Sequence, residues 1–170
     1  MRSLIGKNVK VAFFGASHAE SVGCIIDGMR PGVKADADFI DVLIRSLDGV
    51  PGDVQELCDA LWSVTETGEC VDASKLTAAY RYIFAHEGSS YETYLKLLTP
   101  LQRKVLRALA AVGGKHVVAS DFMDAAGIHN ASSVKKALSR LVEIGHVYYF
   151  DGEYKFVSPF FREWIRRHFG

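Results

Sequence analysis

The four residues Thr99-Pro100-Leu101-Gln102 constrain this chain more than any others. They read as a capping box with proline at the first helical position. The Thr hydroxyl can bond the backbone N–H of Gln102, and the Gln side chain can bond back, so a helix starts here. Leu101, Val105, Leu106, Leu109 and Val112 share one face of it, and Gly113-Gly114 ends it. His116-Val117-Val118 then reads as a short strand, and Ser120 as the cap of a brief helix ending at Gly127. Ser132 or Ser133 stands at the start of the next helix. Its apolar residues Val134, Ala137, Leu138 and Leu141 fall at i, i+3, i+4 and i+7, and Lys135, Lys136, Ser139, Arg140 and Glu143 occupy the opposite face. Two aromatic strands, 147–150 and 154–157, flank Asp151-Gly152, a hairpin turn signal. Ser158-Pro159 opens a last helix with Phe160, Phe161, Trp164 and Ile165 apolar.

Helix, strand, helix, helix and hairpin, in that order and size, predict a winged helix over residues 99–170. The helix from Ser132 is then the recognition helix, and the hairpin carrying Lys155 is the wing. Ser132, Ser133, Lys135, Lys136, Arg140 and Lys155 are the candidate nucleic-acid contacts at phosphates or base edges. A charged outer helix face is equally what water alone requires, and many winged helices bind only protein. DNA and a protein partner therefore both stand. Tyr148, Tyr149, Phe150 and Tyr154 could stack on bases, although rings in a short hairpin more commonly pack against one another.

Upstream, 9–14 and 21–28 read as two strands, followed by helices. Asp36 or Asp38 can cap the first, with Phe39, Ile40, Val42, Leu43 and Leu47. Pro51-Gly52 opens the second. Asp72 caps the third, with Leu76, Tyr80, Ile83 and Phe84 on one face, and Ser90 caps a short fourth through Leu98. The fold class is mostly α (α+β). It comprises an N-terminal β-hairpin (1–38), a helical region (39–98) and the winged helix (99–170).

The formal charge of zero hides a division. Residues 1–70 hold six Lys/Arg against eleven Asp/Glu, and residues 71–170 hold fourteen against nine. An acidic front and a basic tail imply different partners. Cys24, Cys58 and Cys70 have no CxxC spacing, and no His cluster has metal-ligand spacing, so no metal is expected. No apolar run is long enough to span a membrane, and no secretory leader is evident. A cytoplasmic location without membrane partners is expected.

Three stretches resemble the C-terminal part of the archaeal AAA-type ATPases. They are the segment 94–110, Ala131-Ser-Ser-Val-Lys-Lys-Ala-Leu-Ser-Arg-Leu141 and Pro159-Phe-Phe-Arg-Glu-Trp-Ile165. The resemblance runs back through Asp48-Gly-Val-Pro-Gly-Asp-Val-Gln-Glu-Leu-Cys-Asp-Ala-Leu-Trp62, covers about 39–169, and implies a helical lid ahead of the winged helix. No G-x-x-x-x-G-K-[ST] occurs, since Gly113-Gly114-Lys115 has the wrong spacing and follows a helix. Without that loop no backbone N–H groups converge on phosphates, and ATP hydrolysis by this chain alone is not expected.

Residues 1–38 resemble the beginning of chorismate synthase. The match lies in Gly6-Lys7, Phe14-Gly15-Ala16-Ser17-His18-Ala19, Gly23-Cys24-Ile25-Ile26-Asp27-Gly28 and Pro31-Gly32-Val33, with Ala19 where the family has Gly. The resemblance implies a proton-transfer role for His18 beside reduced flavin mononucleotide (FMN). The reaction is loss of phosphate from enolpyruvylshikimate phosphate, in aromatic amino acid biosynthesis. The family's phosphate-binding arginines, glycine-rich flavin segment and second His have no counterpart after residue 38. His18 is then a loop histidine without catalytic partners.

The leading expectation is a non-catalytic winged-helix module that binds DNA or a partner protein and needs no cofactor, the chain being a fusion or a gene fragment. The alternatives are a chorismate-synthase-like piece using FMN and a free-standing transcription regulator whose helices 39–98 form a homodimer interface.

Overall fold

The computed structural model describes residues 10–14, 23–28 and 37–170. These form β1 (Lys10–Phe14), β2 (Gly23–Asp27), α1 (Ala37–Ser46), α2 (Pro51–Val64), α3 (Ala73–Leu97), α4 (Pro100–Val112), α5 (Ser120–Ala126), α6 (Ala131–Glu143), β3 (Val147–Phe150), β4 (Glu153–Phe156) and α7 (Pro159–Phe169). The described chain is mostly helical, with two separate two-stranded sheets. It divides into two compact units between His86 and Glu87, inside α3.

In the first unit β1 and β2 run antiparallel, Lys10 opposite Asp27 and Phe14 opposite Gly23. Pro51 occupies the first turn of α2, where its missing N–H costs nothing. Asp72 starts α3 as expected. Its carboxylate accepts from the Ser74 hydroxyl (2.6 Å) and from the N–H groups of Ser74 (2.9 Å) and Lys75 (3.0 Å). Those bonds, led by the Ser74 hydroxyl, hold the Asp72 carboxyl below its ordinary range. Leu43, Leu47, Val54, Leu57, Leu61, Tyr80 and Ile83 are buried.

The expected break at Ser90 does not occur, because α3 runs unbroken from Ala73 to Leu97. Gly88, Ser89 and Ser90 disfavour helix by roughly 1–2 kcal/mol together. Burying Tyr91 and Leu95 contributes about 1.5–3 kcal/mol each, so packing overrides local propensity. The Tyr91 ring stacks on Phe161 at 5.2 Å and meets Trp164 at 5.8 Å.

The second unit begins with the last turns of α3. The capping box is present at α4. The Thr99 N–H donates to the Gln102 side chain (2.8 Å), and the Gln102 N–H donates to the Thr99 hydroxyl (3.3 Å). Val105, Leu106 and Leu109 of α4, Phe122 of α5 and Val134, Leu138 and Leu141 of α6 are buried, as are Val147 and Phe156 of the hairpin and Phe160, Phe161 and Ile165 of α7. Val112, expected among them, is exposed because it lies in the last turn of α4. The three helices α4–α6, the β3–β4 hairpin and the closing helix α7 make a winged helix.

The predicted strand at 116–118 is a turn, closed by the Ala119 N–H on the His116 carbonyl (2.9 Å). A single backbone bond takes the place of a third strand, with the Tyr154 N–H donating to the Gly114 carbonyl (3.1 Å). The approach is close enough that a Cβ at Gly114 would overlap the Tyr154 carbonyl oxygen and lie 2.8 Å from its carbon. Gly114→Ala is therefore expected to destabilise the protein by about 1–3 kcal/mol, read as a lower Tm in thermal unfolding. Gly52→Ala, where a Cβ meets nothing within 4 Å, should not lower it.

Candidate binding surface

Helix α6 presents two opposite faces. Val134, Ala137, Leu138 and Leu141 are buried, while Ser132, Lys135, Lys136, Ser139, Arg140 and Glu143 are exposed and Ser133 is half-buried. Ser132 and Ser133 stand at the start of the helix, as expected. Asn130 is the cap, its side-chain oxygen accepting from the N–H groups of Ser132 (2.9 Å) and Ser133 (3.4 Å). Both serines therefore sit inside the first turn. The signal was an Asn directly before Ala131, a strong capping residue. In α5 likewise, Ala119 holds the cap position and Ser120 is the first helical residue. Gly127 closes α5 in the left-handed region (φ 59°, ψ 44°).

The cations of α6 are not equivalent. The Arg140 guanidinium pairs with Glu143 at 2.6 Å, and this hydrogen bond raises its pKa further. Lys135 and Lys136 have no ion-pair partner among the described residues. On α7 the basic run is tied back in the same way, since Arg166 (3.7 Å) and Arg167 (2.7 Å) share Glu163.

The wing follows the expected turn. Asp151 (φ 50°) and Gly152 (φ 78°) both take positive φ, as a two-residue hairpin of this hand requires. Val147 pairs with Phe156, Tyr148 with Lys155, Tyr149 with Tyr154 and Phe150 with Glu153. Val147 and Phe156 join the core. The outer rings do not, with Tyr149 59% and Phe150 64% exposed. The packing expected of these aromatics therefore holds for only part of the set. Tyr149 leans on Tyr154 at 4.8 Å between ring centroids. Lys155 is half-buried beside them.

An open groove of about 480 Å³ runs between the 115–119 turn, α6 and the wing. Lys115, His116, Lys135, Tyr149 and Tyr154 line it. Of the six predicted contact residues only Lys135 borders this groove. Ser132, Lys136 and Arg140 lie on the outer face of α6, and Lys155 lies in the wing. Lys115 and His116 were missed. The Gly113-Gly114-Lys115 run suggests a phosphate loop and fails that test, while its true neighbours are distant in sequence. His18, the predicted catalytic residue, lies outside the described residues.

His146, between α6 and β3, packs against Tyr94 (5.4 Å) and Phe161 (5.7 Å). Burial pushes its pKa below 6.5, because the charged ring loses water it cannot replace. The folded state therefore binds fewer protons than the unfolded state. The stability from this ring is complete above pH 6.5 and is lost as pH falls below it. The Tm should fall between pH 7 and pH 5.5, and His146→Phe should flatten that part of the profile.

Residues 89–167 match the family model described as "Probable winged helix domain". Chorismate synthase of Campylobacter jejuni subsp. doylei is 50% identical over 38 residues, 22% of this chain and 10% of the relative. That of Campylobacter lari is 46% identical over 39 residues, 23% and 11% respectively. That of Helicobacter hepaticus is 44% identical over 39 residues, again 23% and 11%. The chain thus spans about a tenth of the curated relatives it matches. No solved structure matches. No described helix is long and apolar enough to cross a membrane.

Proposed function

We propose that residues 87–170 bind DNA, with α6 entering the major groove. One observation carries this reading. The outer face of α6 sets Ser132, Lys135, Lys136, Ser139 and Arg140 side by side in solvent, while its inner face is wholly buried. Hydroxyls and ammonium groups along an exposed helix are what phosphate oxygens and base edges require. Ser133 lies at the helix start, where the helix dipole favours an anion, and Lys155 lies in the wing. The unit holds twelve Lys/Arg against eight Asp/Glu, which favours a polyanion, and no cofactor is needed. In this reading the helices before Glu87 correspond to an ATPase-type lid without an ATPase core, and the chain acts in the cytoplasm as a regulator, alone or as a homodimer.

Affinity of the full chain for a fluorescent duplex should fall linearly on a log–log plot against salt. Lys135→Ala combined with Lys136→Ala should lower that slope by about 2, near 0.9 per lost phosphate contact. An unchanged slope would sink the assignment.

A protein partner is the second reading, favoured by the wing tip. Phe150 is exposed there, and Asp151 and Glu153 would repel phosphates. Absence of any salt-dependent duplex binding would favour it. The short stretch of identity to chorismate synthases supports a third reading, an FMN site at residues 1–38 with His18 as proton carrier. Titration of FMN with the full chain should then quench flavin fluorescence, and His18→Ala should leave binding intact while removing any proton-transfer activity.

A further inference from the structure

We infer that the groove between the 115–119 turn, α6 and the wing is a stacking site for an unpaired nucleic-acid strand. Lys115 and Lys135 hold its phosphates and Tyr149 receives a base. The inference rests on the nucleic-acid reading above and changes the form of ligand it predicts.

Size comes first. The groove, at about 480 Å³, falls within the roughly 300–1,000 Å³ of sites that seat small ligands, which suits one nucleotide unit better than a helix. Chemistry comes second. Its rim holds two exposed lysines with no ion-pair partner among the described residues. Its wall holds two tyrosines, the outer one 59% exposed although it already leans on the other. Aromatic rings left in water beside unpaired cations make the combination that binds single strands, since every base offers a π-face.

The tyrosines decide between duplex and single strand. A duplex keeps its bases paired and stacked, out of reach of Tyr149. A single strand has one row of phosphates, which the lysines can take, and its bases are free to turn toward Tyr149.

The test uses the full chain and two labelled probes, an oligothymidine of about a dozen nucleotides and a duplex of equal length. Anisotropy should show tighter binding of oligothymidine. Tyr149→Ala should weaken that binding roughly tenfold while leaving duplex affinity unchanged, and Tyr149→Phe should retain it, because the ring and not the hydroxyl stacks. Lys115→Ala with Lys135→Ala should lower the single-strand salt slope by about 1.4. Tyr149 is exposed, and an unchanged circular dichroism spectrum will show that the fold is intact. Equal binding of oligothymidine by Tyr149→Ala and the parent overturns the inference. If duplex binding persists and still depends on Lys136, the assignment of α6 survives without it. Failure of both probes to bind overturns the two together.

Discussion

The phenyl ring of Phe161 is the point on which the winged helix depends. It is 2% exposed and lies within 6.3 Å, centroid to centroid, of Tyr91 and Tyr94 in α3, His146 before β3, Phe156 in β4 and Trp164 in α7. One side chain thus joins the entry helix, the wing and the closing helix. Truncating a buried ring of this kind costs about 3–5 kcal/mol, a large share of the 5–15 kcal/mol that holds a typical domain. The same ring meets Phe156, which holds the second strand of the wing to the core.

The charge division of the sequence takes a clearer form on this structure. Divided at the unit boundary, the chain carries eight Lys/Arg against twelve Asp/Glu before Glu87, and twelve against eight after it. The positive excess is not evenly available. Arg140, Arg166 and Arg167 are turned toward Glu143 and Glu163, and Lys135, Lys136 and Lys115 are left to face solvent. Net charge therefore overstates the cations available on α6, where pairing within the helix leaves Lys135 and Lys136.

Much of the second unit was legible in the sequence because its signals are local. The Thr99–Gln102 box, the Asp151-Gly152 turn and the apolar spacing of α6 each act over no more than eight residues, and each stands in the structure as read. The misreadings share a cause in distant partners. Ser90 has the character of a cap, but Tyr91 is claimed by α7, some seventy residues away, and the helix continues. Val117 and Val118 have the residue types of a strand, but the hairpin meets the chain at Gly114 and the strand has no partner to form with. Lys115 and His116 escaped notice in the same way, since only the folded wing brings them opposite Tyr149. The matches to chorismate synthases rest on a short motif at high identity, which the sequence shows directly.

The lone bond from the Tyr154 N–H to the Gly114 carbonyl has a dynamic consequence. A full third strand would tie the wing down by several bonds that break together. With one bond, the wing edge can part from the 114–119 turn without disturbing the core, a low-energy local opening. The two walls of the groove are joined across that bond, since Tyr154 stands on one side of it and Lys115 follows directly on the other. The Tyr154 amide is thus a built-in clock for the wing edge, and its rate of exchange with deuterated solvent counts how often that bond opens.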